Sequence, residues 1–107
     1  KNAAIFVAKT KEGMAGYLIF YYVLEEGEIA RIATAHSVRR QGAASQMFRK
    51  LLDFCREQKI TRIMLEVREN NEAARQFYGK CGFTKDGIRR NYYENPKENA
   101  VLMSVNL

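Results

Sequence analysis

Residues 42–67, GAASQMFRKLLDFCREQKITRIMLEV, decide the fold. Ala44, Met47, Phe48, Leu51, Leu52 and Cys55 recur at steps of three and four, while Arg49, Lys50, Asp53, Arg56 and Glu57 take the opposite side. That spacing predicts an amphipathic helix over 42–58. Ile60 to Val67 follows with Ile63, Met64, Leu65 and Val67, a nearly continuous apolar run suited to a strand covered on both faces. A strand leading into this helix and a strand leading out of it would form a parallel pair with a right-handed crossover.

Upstream, Ala3–Lys9, Met14–Leu24 and Ile29–Ala35 read as strands, punctuated by Thr10-Lys11-Glu12-Gly13 and Glu25-Glu26-Gly27-Glu28. The first third is therefore expected to be an antiparallel meander. Downstream, Asn70 or Asn71 can cap a short helix holding Ala73, Ala74, Phe77 and Tyr78, and Gly82 suits its C-terminal end. Two last strands are expected over 83–93 and 100–106. Together these make one α/β layer structure, a mixed sheet with helices packed on both faces.

The chain has 107 residues, 47% of them hydrophobic and 28% charged, which fits one folded domain and excludes disordered and fibrous classes. Its net charge of +6 favours anionic partners without choosing among a nucleic acid, a phosphorylated cofactor and an acidic protein surface. Cys55, Cys81 and the single His36 give no metal-ligand spacing, so no metal is expected. Both cysteines read as buried thiols in a reducing compartment, hence a cytoplasmic protein. No apolar stretch reaches the roughly 20 residues of a membrane span, and no signal peptide is legible. The chain opens without a start methionine, as a processed or excised piece would.

Chemistry concentrates first at Arg39-Arg40-Gln41-Gly42-Ala43-Ala44-Ser45. Small residues at a helix start let an anion approach unpaired amides at the positive end of the helix dipole, and two arginines add full charge. The Gly-Lys-Ser/Thr ending of a Walker loop and the Gly-x-Gly-x-x-Gly of a dinucleotide loop are both absent. The alternative is an ordinary turn with solvated arginines. Glu66 stands among Met64, Leu65 and Val67, where an unpaired carboxylate is costly. It is either a site residue or a glutamate paired with a nearby arginine such as Arg68. Tyr78, on spacing alone, is a core aromatic.

Residues 39–44, RRQGAA, resemble the Arg/Gln-x-x-Gly-x-Gly/Ala signature of the GNAT acetyltransferases, and residues 65–83, LEVRENNEAARQFYGKCGF, resemble their ribosomal-protein-alanine (RimI-like) branch. IRRNYY at 88–93 and AVLM at 100–103 extend the likeness to the C-terminus. The resemblance implies a mostly antiparallel GNAT sheet, a single domain over 1–107 and acetyl-CoA as acetyl donor. It also implies that the family's N-terminal strand and helices are missing from a truncated chain. By the same resemblance Arg39 to Ser45 hold the pyrophosphate, Ile32, Ala33 and Thr34 align the pantetheine arm through their main chain, and Asn71 contacts the cofactor. Glu66 becomes the general base and Tyr78 the general acid. Arg89, Arg90, Tyr92 and Tyr93 fall on the acceptor side. Ala35-His36-Ser37 departs from the family, which often has an acidic residue and a proline there.

The implied activity is acetyl transfer to the α-amine of a protein N-terminus, a ribosomal protein by resemblance, with no membrane and no sequence-specific nucleic acid involved. A lysine, polyamine or other small amine is the alternative acceptor. A noncatalytic module binding RNA or the ribosome would also use the positive charge, but no recognised RNA-binding signature is present.

Overall fold

In the computed structural model, residues 2–11, 13–35 and 42–107 are described. They form strands β1 (Asn2–Thr10), β2 (Gly13–Val23) and β3 (Glu26–Thr34), helix α1 (Ala43–Gln58), strand β4 (Arg62–Arg68), helix α2 (Glu72–Lys80), and strands β5 (Thr84–Tyr93) and β6 (Glu98–Asn106). The chain divides into two units, residues 1–61 and 62–107. Among the described residues no helix is long and apolar enough to cross a membrane.

The first unit is the expected antiparallel meander. Phe6 pairs with Leu18 and Ala4 with Phe20, so these side chains share one face of the pleat. α1 covers that face. Its Met47, Leu51 and Cys55 are fully buried, as are Leu18 and Phe20. The Phe54 ring lies edge-on to Phe6, Phe20 and Tyr22, with centroids 5.2 to 6.5 Å apart. α1 also serves the β1 backbone: Gln46 Oε1 accepts from the Lys9 amide at 3.2 Å, and Lys50 Nζ donates to the Val7 carbonyl at 2.7 Å. At its C-terminus Lys59 turns left-handed (φ 61°), and the Ile60 amide returns to the Cys55 carbonyl at 2.8 Å.

β3 starts earlier than its sequence suggests. Glu25-Glu26-Gly27-Glu28 reads as a turn, yet the turn is Leu24-Glu25, and Glu26, Gly27 and Glu28 pair with Val23, Tyr22 and Tyr21. Gly27 is a packing residue, because a Cβ there would collide with the Phe20 ring. Gly16 plays a similar part opposite Thr34. A Cβ at Gly16 would stand 2.6 Å from the Ala33 carbonyl oxygen and 3.2 Å from both the Met47 methyl and Thr34 Cγ2. Since backbone must yield, Gly16→Ala is expected to cost about 1–3 kcal/mol and displace the end of β3. A urea titration checks this, and an unchanged midpoint would contradict it.

The second unit is a β4-β6-β5 antiparallel arrangement with β6 in the middle. β4 alternates rather than being covered on both faces as its composition suggests. Ile63, Leu65 and Val67 are buried, whereas Arg62, Met64, Glu66 and Arg68 are half-buried on the other face. Of the two candidate caps for α2, Asn71 takes the role, its Oδ1 accepting from the Ala74 amide at 3.2 Å. Gly82 then leaves the helix at φ +97°. Cys55 is buried as expected, while Cys81 is only half-buried; both are free thiols.

A carboxylate ringed by arginine and tyrosines

In the first unit, Ile32, Ala33 and Thr34 end β3, paired with Leu18, Tyr17 and Gly16 and half-buried. Arg39, Arg40 and Gln41 lie outside the described residues. Gly42 begins α1 in the left-handed region at φ 78°, with open space where a Cβ would stand, so backbone conformation and not protein crowding calls for glycine. No side chain caps α1 and no acidic residue occupies its first turn. With Ala43, Ala44 and Ser45 small, this helix start fits a phosphate by donor chemistry, since its first amides have no intrahelical acceptor.

In the second unit, Glu66 points to the half-open face of β4. Arg89 of β5 reaches it, Nη2 to Oε1 at 3.5 Å, with the carboxylate side chain 22% exposed and the arginine 53%. The carboxylate therefore has a cationic partner, but Arg89 and not Arg68. The Arg89 guanidinium also lies 4.9 Å from the Tyr92 ring centroid, and the Tyr92 and Tyr93 rings meet edge to face at 5.0 Å. Arg90, next along, is exposed and takes no part in these contacts.

The two extra residues that let Arg89 pair with Ala100 and Tyr93 with Glu98 form a bulge. Asn91 adopts φ 52° within it, and its amide donates to Asn99 Oδ1 at 2.9 Å. Arg68 closes the same region from β4. Its Nη1 donates to the Pro96 carbonyl at 3.1 Å and pairs with Glu98 Oε1 at 3.2 Å; Nη2 donates to the Glu94 carbonyl at 3.1 Å. Its guanidinium sits 4.4 Å from the Tyr93 ring centroid. Spacing along the sequence gave no sign of this role, because the partners lie 25 to 30 residues away.

Tyr78 is 4% exposed, between Phe77 and Phe83 at centroid distances of 5.6 and 5.5 Å. Burial, aided by Cys81 and Tyr93, pushes its phenol up to about 12. The Tyr93 phenol is raised by burial and by the charge of Glu66, with Tyr92 and Glu98 adding to the rise and Arg68 opposing it. Both phenols hold their protons at neutral pH. The structure thus gathers Glu66, Arg89, Tyr92 and Tyr93, sets Tyr78 in the field of Tyr93, and leaves Asn71 as a cap at the start of α2.

The Acetyltransferase (GNAT) family matches residues 1–83, across both units. A Bacillus subtilis relative, provisionally named a ribosomal protein bS18-alanine N-acetyltransferase, is 34% identical over 97% of this chain and 70% of its own length. The crystal structure of the Escherichia coli ribosomal-protein-S18-alanine N-acetyltransferase superposes with a TM-score of 0.91 at 30% identity, covering 99% of this chain and 70% of that one. A Bacillus anthracis acetyltransferase solved in complex with acetyl coenzyme A gives a TM-score of 0.88 at 25% identity, covering 100% and 64%. The mixed, mostly antiparallel α/β architecture expected from the sequence is that of these proteins, and the chain belongs to the GNAT acetyltransferase family.

Proposed function

We propose that this chain, as a single cytoplasmic domain over 1–107, transfers an acetyl group from acetyl-CoA to the N-terminal α-amine of a protein, a ribosomal protein with an N-terminal alanine. The observation that carries the proposal is the Glu66 carboxylate on the half-open face of β4, paired with Arg89, which in turn lies over Tyr92, with Tyr93 beside that ring and in the field of the carboxylate. The names of the relatives point to the acceptor, and a ribosomal acceptor points to the cytoplasm. A family match that runs from the first unit into the second, over residues 1–83, supports one domain.

Acetyl-CoA, when bound, supplies the activated acetyl thioester. Gly42 to Ser45 would hold its phosphates through the uncapped amides of α1, with Arg39, Arg40 and Gln41 adding charge and polar contacts, and Asn71 would contact the cofactor from α2. The β3 end at Ile32, Ala33 and Thr34 would align the donor through backbone hydrogen bonds. An α-ammonium has a pKa near 8, so about a tenth is neutral at pH 7. Glu66 accepts the proton that the amine must lose, directly or through one water. Arg89, Arg90, Tyr92 and Tyr93 line the acceptor side.

Tyr78 serves the leaving sulphur. A phenol raised to about 12 is a weaker acid than a thiol of pKa near 8.5, so complete proton transfer would be uphill by about 4–5 kcal/mol. Its contribution is therefore a hydrogen bond that strengthens as negative charge develops on sulphur.

A peptide pair tests the acceptor. One peptide begins with a free alanine; the other has its α-amine blocked and carries a lysine. Mass spectrometric localisation is expected to find acetyl on the free α-nitrogen alone, and transfer confined to the lysine would reverse the assignment.

A further inference from the structure

The Arg68 side chain meets Pro96, Glu98, Glu94 and Tyr93, all in one hairpin, β5-turn-β6. Both of its terminal nitrogens are used: Nη1 on the Pro96 carbonyl and Glu98 Oε1, Nη2 on the Glu94 carbonyl, while the guanidinium plane covers Tyr93 at 4.4 Å. Glu98, whose side chain is 11% exposed, is held from a second side by the Asn70 amide at Oε2. At the next residue of each segment, the Glu69 amide donates to the Asn99 carbonyl at 3.0 Å and Asn99 Nδ2 donates to Glu69 Oε1 at 3.3 Å. Asn99 in turn receives the Asn91 amide. Residues 68–70 therefore grip the hairpin at both its turn and its bulge.

Alternation along β4 puts Glu66 and Arg68 on the same face. The strand that carries the carboxylate also carries the cation that fixes the hairpin from which Arg89, Tyr92 and Tyr93 approach it. We infer that Arg68 is a positioning residue, which locks the acceptor-side hairpin in register with Glu66 without itself meeting the acceptor. A planar fork with several donors is needed because two carbonyls and a carboxylate must be met at once; an ammonium supplies the charge but not that geometry.

This inference rests on the acceptor side proposed above. Its test compares wild type with Arg68→Gln and Arg68→Lys, measuring kcat and KM for the alanine peptide, acetyl-CoA affinity by calorimetry, and hydrogen exchange of the 91–99 backbone. Arg68→Gln is expected to accelerate exchange in the hairpin and lower kcat/KM for the peptide about 10- to 100-fold while acetyl-CoA affinity stays within about twofold, because misplacement of about 1 Å is enough for a loss of that size. Arg68→Lys, which keeps the charge and is the safer variant for folding, is expected to fall between. Wild-type kcat/KM in Arg68→Gln, or a loss accompanied by unchanged hairpin exchange, would overturn the role. A wild-type chain that acetylates neither peptide would instead overturn the function beneath it, and hairpin exchange in the variants would still read the clamp.

Discussion

Glu66→Gln is expected to lower kcat about 10²- to 10⁴-fold, the usual contribution of a positioned general base, equivalent to about 3–5 kcal/mol of barrier. Glutamine keeps the shape and removes the capacity to take the ammonium proton. The fold should tolerate the change. Glu66 is half-buried and its partner Arg89 is 53% exposed, so the freed guanidinium returns to water and the lost ion pair costs about 1 kcal/mol or less. Acetyl-CoA affinity should remain within about twofold, because the proposed role sets the carboxylate on the amine and not on the donor. Steady-state kinetics beside a calorimetric titration separates these effects. Wild-type turnover in Glu66→Gln would remove the carboxylate from the mechanism.

Tyr78→Phe should reduce kcat about 10²-fold, the low end for a proton-donating group, since in the proposed role the raised phenol would stabilise the leaving sulphur by hydrogen bonding rather than by full transfer. The ring is retained between Phe77 and Phe83, so packing should survive. The same substitution has an alkaline signature. A tyrosine whose folded pKa lies at about 12 against 10 when unfolded contributes stability that is fully present below pH 10 and is lost as pH rises through 12. For this buried phenol the loss amounts to about 2–3 kcal/mol. Cys55, raised by burial from 9.0 to about 11, acts with the same sign between those values. Between pH 8 and pH 11 the urea midpoint of wild type should therefore fall relative to that of Tyr78→Phe, which lacks the titrating phenol. A wild-type midpoint that does not fall between pH 8 and pH 11 would contradict the burial of these groups.

How much was legible in the sequence varied with the range of the interactions. α1 follows from local periodicity, and its boundaries agree with the spacing of Ala44 to Cys55 because one amphipathic face meets one sheet. Glu66 and Tyr78 stand out through the 65–83 run and its resemblance to the family. The start of β3 was illegible because Glu-Glu-Gly-Glu has turn chemistry locally, while its pairing with β2 and the space Gly27 leaves for Phe20 are tertiary facts. Apolar composition likewise overstated the burial of β4, whose face bearing Glu66 and Arg68 stays half-open. Arg68 and Arg89 exchange the roles that proximity in sequence suggests. Arg68 is two residues from Glu66 but is spent on the hairpin, and Arg89, distant in sequence, is brought to Glu66 by the shared pairing of β4 and β5 with β6. Gly16 had no signal beyond being glycine in a strand, where close backbone approach is one standing reason for it.

The most direct measurement is a calorimetric titration of this chain with acetyl-CoA beside Gly42→Glu. A carboxylate at the open start of α1 would repel phosphate, while the left-handed backbone at φ 78° would cost the fold about 1–2 kcal/mol. Saturable one-to-one binding by wild type, weakened about 100-fold or more in a folded Gly42→Glu, is the expected result. Equal binding by both would contradict the assignment of the phosphate site to α1, and no binding by a folded wild-type chain would contradict the proposal that these residues form a working acetyltransferase.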